Sequence, residues 1–329
     1  MTAEGRPDLP LIPLERFADD LRCPRCDSPL RDATRAPTCT GSCPLAALGP
    51  FLVLGGQPIL VDFERSVLVR DRFIDRGGES AKDRGTVVGA RGARAVVRDL
   101  FEPPNRVAHA QAMRLLALAK EVAPEPRILV IGGGRVGRGS EALYDDPDAQ
   151  LIAFDIYCSP LVQFVADAHQ VPLADGSVHA VWIQAVLEHV LEPWLVANEI
   201  HRVLAPGGLV FAETPFLQHV HEGPYDFTRF TESGHRWLFK AFERIDSGVS
   251  GELSASFAWA VGAWVGALTR SRALGTWTRR FAHFVRVFDR GIPAGHHIDG
   301  ASGHYFLGRR SESSLTPAEI VASYRGAQK

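Results

Sequence analysis

An α/β fold built on a mostly parallel sheet of seven strands is what this sequence predicts, and three observations carry the prediction. From Arg127 onward, short apolar runs alternate with helical stretches, the rhythm of strands joined by crossover helices. Several runs, ILVI at 128–131 and LVFA at 209–212 among them, are apolar at every position, as strands covered by helices on both faces are. A glycine-rich turn follows the first run, where sheets of this kind open a ligand crevice.

Composition sets the outer bounds. The chain has 329 residues, 46% hydrophobic and 22% charged, which excludes a mostly disordered, collagenous or disulfide-stapled protein. With 36 Lys and Arg against 38 Asp and Glu, the net charge of −2 argues against wholesale polyanion binding and leaves room only for a local basic face. The opening MTAEGRPDLPLIPLERFADD lacks the basic start and apolar run of a secretory signal, so a cytoplasmic, reducing location is expected. Four of the five cysteines lie in one short stretch, which agrees with that expectation.

Taken in order, residues 1–65 read as a small Cys-rich unit that ends in two short strands around Gly55-Gly56. Residues 66–105 carry many charges and several Gly and read as a linker with some helix. The main domain then runs over 106–329, beginning with a helix from Arg106 to about Val122 whose apolar stripe includes Val107, Ala110, Met113, Leu115, Leu116 and Ala119. Strands are expected at 128–132, 151–155, 164–168, 179–185 and 208–215. Two more, at 242–249 and 304–310, bracket a helical insertion over 252–300.

Cys23-Pro-Arg-Cys26 and Cys39-Thr-Gly-Ser-Cys43 form two pairs twelve residues apart. Four thiolates so paired can take the corners of a zinc tetrahedron, and a small unit without a large core gains its stability from such a metal. No position is left open for a substrate, so the zinc is expected to be structural. The segment from LRCPRC to GGQPILVDF resembles the small zinc-ribbon proteins that bind and activate methyltransferases of the translation apparatus.

The turn after the first strand reads Gly132-Gly133-Gly134-Arg135-Val136-Gly137. Glycines there let backbone N–H groups approach a ligand at the start of a helix, and Asp155, at the end of the second strand, is placed to accept from ribose hydroxyls. These two features suit NAD, FAD or S-adenosylmethionine alike. The downstream order separates them: Asp167-Ala168, then VPLADGSVHAVWIQAVLEHV at 171–190, then EIHRVLAPGG at 199–208. That order resembles the class I S-adenosylmethionine-dependent methyltransferases, in particular the bacterial type 11-like group, and the resemblance implies a Rossmann-like sheet. It further implies that Gly132, Gly134 and Gly137 approach the methionine part, Asp155 the ribose, Asp167 the adenine amino group and Gln184 the sulfonium side, with Gly133, Ile156 and Ala168 also among the cofactor-binding residues. Val130 stands where many members carry an acidic residue, and Val136 where they carry the third Gly. Glu188 and His189 are expected to brace the helix after the fourth strand.

Past the fifth strand, PFLQHVHEGPYDFTRFT at 215–231 places His221, Tyr225, Asp226 and Arg229 on a loop expected above the cofactor crevice. A base is needed only if the acceptor is a hydroxyl, and His221 is the candidate, with Asp226 and Arg229 positioning it or the substrate. The competing reading makes Asp226 and Arg229 a loop-holding ion pair. A metal site from His219, His221 and Asp226 is a further alternative.

Within the insertion, FAWAVGAWVGAL carries Gly262 and Gly266 at a spacing that allows close helix approach. The next helix sets Leu274, Trp277, Phe281, Phe284 and Phe288 beside Arg270, Arg272, Arg279, Arg280, Arg286 and Arg290. A helical cap, a homodimer contact, or peripheral membrane contact through 253–290 would each use such a surface. The functional expectation is O-methylation of a glycan or small metabolite. The alternatives are an RNA methyltransferase that grips nucleic acid through the ribbon, using Arg22, Arg25, Arg31 and Arg35, and a non-catalytic cofactor-binding partner protein.

Overall fold

The computed structural model describes residues 11–80 and 105–328. Most of the expected linker, residues 81–104, therefore lies outside the described residues, and its described part contains the helix Arg70–Asp75. The described residues cluster into two compact units. The first comprises residues 11–80, 109–182 and 194–210, and the second 105–108, 183–193 and 211–328.

The strands fall close to where the apolar runs put them. They are β1 Leu30–Arg31, β2 Thr38–Cys39, β3 Val53–Leu54, β4 Gln57–Leu60, β5 Arg127–Ile131, β6 Gln150–Asp155, β7 Phe164–Ala166, β8 Val178–Gln184, β9 Leu204–Pro215, β10 Phe242–Gly251 and β11 Gly303–Arg310. Strands β8 and β9 each contribute residues to both units.

In the first unit the strand order is β9-β8-β5-β6-β7-β4-β3, with β5–β6, β6–β7 and β7–β4 parallel. Ile128, Leu129, Ala180, Val181 and Ile183 are fully buried, because helices must cover both faces of strands that carry no polar side. One expectation is corrected here. The main sheet has nine strands among the described residues rather than seven, because the hairpin assigned to the Cys-rich unit joins it. Ile59 and Leu60 of β4 pair in parallel with Val165 and Ala166 of β7 and are buried beside them. A strand apolar on both faces gains more from covering a sheet edge than from ending a small ribbon.

The segment before the ribbon is stitched to the same unit. Leu11 bridges Leu151, and the Gln163 side chain donates to the Ile12 carbonyl. Phe17 is buried against Phe164, which stacks on Phe154.

In the second unit β10 pairs antiparallel with β11, which neighbours β9. The insertion is a helical hairpin of Leu253–Thr269 and Arg272–Ala282, followed by a 3-10 stretch His283–Gly291 and the helix Ala294–Gly300. Its two long helices touch through glycine: a Cβ on Gly275 would stand 2.7 Å from the Gly262 carbonyl oxygen and 2.9 Å from the Gly266 Cα. The Gly262/Gly266 spacing thus serves a contact within the chain. No helix of the described residues is long and apolar enough to cross a membrane.

Candidate functional site

In the first unit, β5 runs into the glycine turn. Gly132 adopts φ +78°, a conformation that favours glycine, and the N–H groups of Gly132 and Gly133 both donate to the Phe154 carbonyl at the end of β6. The Gly134 N–H donates to Asp155 Oδ2 at 2.9 Å, while Asp155 Oδ1 accepts from the Ile156 N–H. A Cβ on Gly134 would come within 2.7 Å of Asp155 Oδ2 and within 2.5 Å of the Tyr157 hydroxyl, so a side chain there would have to push both of those groups aside. Gly132, Gly133, Gly134, Asp155 and Ile156 are therefore brought together. Gly137 lies further on, where its carbonyl accepts from Ser140 ahead of the helix Glu141–Asp145. A tight glycine turn abutting a strand-end carboxylate fits an adenosyl cofactor, because the carboxylate can accept from a ribose diol.

Asp167 and Ala168 are buried just past β7. The Asp167 carboxylate accepts from the Ser66 hydroxyl at 2.6 Å and from the His169 N–H at 3.0 Å, with His169 Nδ1 at 2.5 Å. Burial opposes its ionisation, but the bonds from His169 and Ser66 outweigh burial and hold the pKa below the usual carboxylate value. The residue expected to meet adenine thus also anchors Ser66, which the sequence placed in a linker.

The four thiols of the Cys cluster converge. Sγ separations are 3.7 Å for Cys23–Cys43, 3.5 Å for Cys26–Cys39 and 3.8 Å for Cys39–Cys43. Tetrahedral zinc with bonds of about 2.3 Å sets such edges at roughly 3.8 Å, so the donors fit that ion. The Gly41 N–H donates to Cys39 Sγ at 3.3 Å. Burial pushes the Cys23 and Cys39 thiols up, whereas hydrogen bonds from Ser28 and neighbouring thiols overcome burial and bring Cys26 down to about 7. Arg25, between the first two cysteines, bonds the buried carboxylate of Asp62 and also Glu64. It is thereby committed to the fold rather than offered to a nucleic acid.

The second unit holds the loop beyond β9. Arg229 grips both oxygens of Asp226, and Asp226 Oδ2 accepts from the His221 backbone N–H at 2.9 Å. Burial works against the Asp226 charge, yet these bonds hold its pKa well below the carboxylate range. The pair therefore pins the loop. His221 Nδ1 stands 3.5 Å from Asp226 Oδ2 and 3.3 Å from the His219 carbonyl oxygen.

Two residues expected only to brace a helix meet His221 here. Glu188 and His189 sit on a 3-10 turn, Leu187–His189, which follows Ala185 at φ +54°. The Glu188 carboxyl group is fully buried and, among the described residues, accepts no hydrogen bond from another one. Burial pushes its pKa up to about 8 despite the nearby Arg229. His189 Nε2 lies 3.5 Å and His221 Nε2 3.9 Å from Glu188 Oε1. His189 Nδ1 donates to the Tyr225 carbonyl at 2.7 Å, and burial pulls the ring's pKa down. Trp259 borders the cluster, its ring 6.4 Å from that of His221 and capped by the Arg279 guanidinium.

Gln184 donates to Glu213 at 2.9 Å, and Glu213 also accepts from the Asn105 side chain. Burial raises the Glu213 pKa, while Asn105 and Gln184 oppose that rise. Neither Glu213 nor Asn105 was singled out by the sequence, since each needs its partner from a distant element to stand out.

Residues 129–212 match the family described as Methyltransferase domain. A Micromonospora griseorubida protein provisionally named 23S rRNA (guanine-N(1)-)-methyltransferase is 29% identical over 222 residues, which cover 61% of this chain and 68% of that one. A demethylmenaquinone methyltransferase of Renibacterium salmoninarum is 34% identical over 153 residues, 43% of this chain and 60% of its own length. An uncharacterized methyltransferase of Mycobacterium sp. strain KMS is 34% identical over 143 residues, and the chain spans 55% of its length. Among solved structures, a SAM dependent methyltransferase from Archaeoglobus fulgidus is similar with a TM-score of 0.40 and 13% identity, covering 66% of this chain and 100% of that one.

Proposed function

We propose that this chain, which carries a class I S-adenosylmethionine-dependent methyltransferase domain in its residues 129–212, methylates a hydroxyl of a glycan or small metabolite. The observation that carries the acceptor assignment is the convergence of Glu188, His189 and His221, three proton-accepting side chains around one spot. An amine attacks a sulfonium methyl with its own lone pair, whereas a hydroxyl must give up a proton, and such a cluster suits that need.

On the cofactor side, Gly132, Gly133 and Gly134 would lie against the methionine part, with Gly137 leading into the helix beyond. Asp155 and Ile156 would hold the ribose, Asp167 and Ala168 the adenine, and Gln184, oriented by Glu213, the sulfonium side. Bound there, the cofactor supplies a methyl group already activated on a positively charged sulfur. The protein's own contribution is positioning, which supplies on the order of 7–11 kcal/mol when reacting atoms are held in line. His221 accepts the hydroxyl proton at Nε2, and Asp226 with Arg229 keeps its loop in place. Cys23, Cys26, Cys39 and Cys43 hold a structural zinc.

A second reading has one observation in its favour: the Micromonospora relative is named for methylation of ribosomal RNA. On that reading the acceptor is a guanine nitrogen and the ribbon meets RNA. One experiment separates the two. Purified protein and methyl-labelled cofactor are incubated with total RNA and, separately, with a glycan and metabolite extract. Label in the extract supports the hydroxyl acceptor; label in a ribonuclease-sensitive fraction replaces it with the RNA reading. Calorimetry with S-adenosylmethionine, S-adenosylhomocysteine and NADH tests the common premise, which binding of NADH alone would overturn.

A further inference from the structure

We propose that Glu188, His189 and His221 form a binding site for a divalent transition-metal cation, onto which a hydroxyl-bearing acceptor docks through oxygen. The inference deepens the hydroxyl-acceptor reading and rests on it for the acceptor's chemistry, though the metal site stands on geometry alone. One ligand atom from each of the three residues lies within 4.8 Å of the others, and the Nε2 atoms of His189 and His221 stand 3.5 and 3.9 Å from Glu188 Oε1.

Each member presents a lone pair to the common centre. His189 Nδ1 is committed as a donor to the Tyr225 carbonyl, so its Nε2 is the acceptor nitrogen. The His219 carbonyl and the Asp226 carboxylate beside His221 Nδ1 are both acceptors, which favours the tautomer with the hydrogen on Nδ1 and the lone pair on Nε2. The third member is a fully buried carboxyl group with no hydrogen bond from any other described residue. A buried carboxyl group facing two imidazole lone pairs is satisfied either by a proton or by a cation at the common centre, and the spacing of the three decides between them.

The spacing favours a metal over a shared proton. A proton shared between carboxyl and imidazole draws the heavy atoms to about 2.7–3.0 Å. Here they stand 3.5 and 3.9 Å apart. Bonds of about 2.0–2.1 Å to one cation put neighbouring ligand atoms roughly 3.0–3.4 Å apart, so the two carboxylate–imidazole separations need contract by only about half an ångström or less to meet it. The outer contacts match those of metal-bound histidines, whose second nitrogen donates to a carbonyl or carboxylate: Tyr225 for His189, and Asp226, itself gripped by Arg229, beside His221.

Two imidazoles and one carboxylate suit zinc, manganese, iron or cobalt, and leave positions open for water or substrate oxygen. The side chains of His189 and His221 keep 21% and 29% exposure, which gives the ion an entry. With the acceptor's hydroxyl on the cation its pKa falls, and the proton leaves to water. The oxygen's pair then forms the new O–CH3 bond while the S–CH3 bond breaks, and its electrons return to sulfur to give the neutral thioether. His221 in this arrangement holds the metal, and the cation replaces it as the group that activates the hydroxyl.

The test uses the full chain with zinc in its Cys site and Mn2+ as probe, since that hard cation avoids thiolates. Loss of free-Mn2+ electron paramagnetic resonance signal on titration, and displacement by Co2+ followed in its visible spectrum, report binding without any turnover. The expected result is one saturable site that weakens at least about tenfold in both Glu188→Gln and His221→Gln. No saturable Mn2+, Zn2+ or Co2+ binding up to millimolar concentration, or binding untouched in both variants, overturns the proposal. Calorimetry with S-adenosylmethionine on the same sample keeps the failures apart: cofactor binding without metal binding removes the metal site alone, and metal binding without cofactor binding removes the methyltransferase reading alone.

Discussion

Asp155 shows how one side chain can serve fold and ligand together. Its carboxylate closes the glycine turn through the Gly134 N–H and remains at the strand end where a ribose diol is expected. A charged hydrogen bond of this kind contributes about 1.5–3 kcal/mol, so Asp155→Ala is expected to weaken S-adenosylmethionine binding roughly 10- to 150-fold by calorimetry. Unchanged affinity would remove Asp155 from the site. A second residue-scale prediction concerns His235, fully buried among the rings of Phe230 and Phe239. Burial, with His304 adding to it, depresses its pKa from 6.5 to about 3. The unfolded chain therefore takes up a proton below pH 6.5 that the folded chain refuses, and the His235 contribution to stability, fully present above that pH, is lost as pH falls toward 3. The slope is about 1.4 kcal/mol per pH unit. Urea midpoints measured from pH 7 to 4 should fall accordingly, and His235→Phe should flatten the trend.

At the scale of elements, the Cys-rich ribbon and the helical hairpin make separate predictions. Four thiols at zinc-like spacing in a segment with few buried apolar residues imply that the metal carries the ribbon's stability. Intact-mass measurement under native conditions should find a zinc that Cys26→Ser removes, and that substitution or strong chelation should expose the ribbon to protease. An unchanged digestion pattern would count against a structural zinc. Phe17, buried on Phe164, should cost about 3–5 kcal/mol on truncation to Ala, read as a lowered unfolding midpoint. The hairpin leaves Trp264, Phe281 and Phe288 each about two-thirds exposed among arginines, the composition that docking on an anionic bilayer would require. Phe281→Ser with Phe288→Ser is expected to abolish co-sedimentation with anionic vesicles, and binding that persists in the double variant would send the search to a protein partner.

For the molecule as a whole, the sequence by itself determined what depends on local periodicity and spacing. The helix from Arg106, the seven strands of the main domain, the paired thiols and the glycine turn before Asp155 were legible, because each is written within a few turns or a few strand residues, whereas the helix Glu232–Leu238 was not. Tertiary structure alone decided the rest. It joined β4 of the ribbon to β7 of the main sheet, gave Asp167 to Ser66, turned Asp226 and Arg229 into a loop clasp, and gathered Glu188 and His189 with His221. Each of those outcomes turns on which distant group satisfies a buried charge or covers an apolar strand. That choice is made by desolvation in the packed chain, and no local pattern of residues records it.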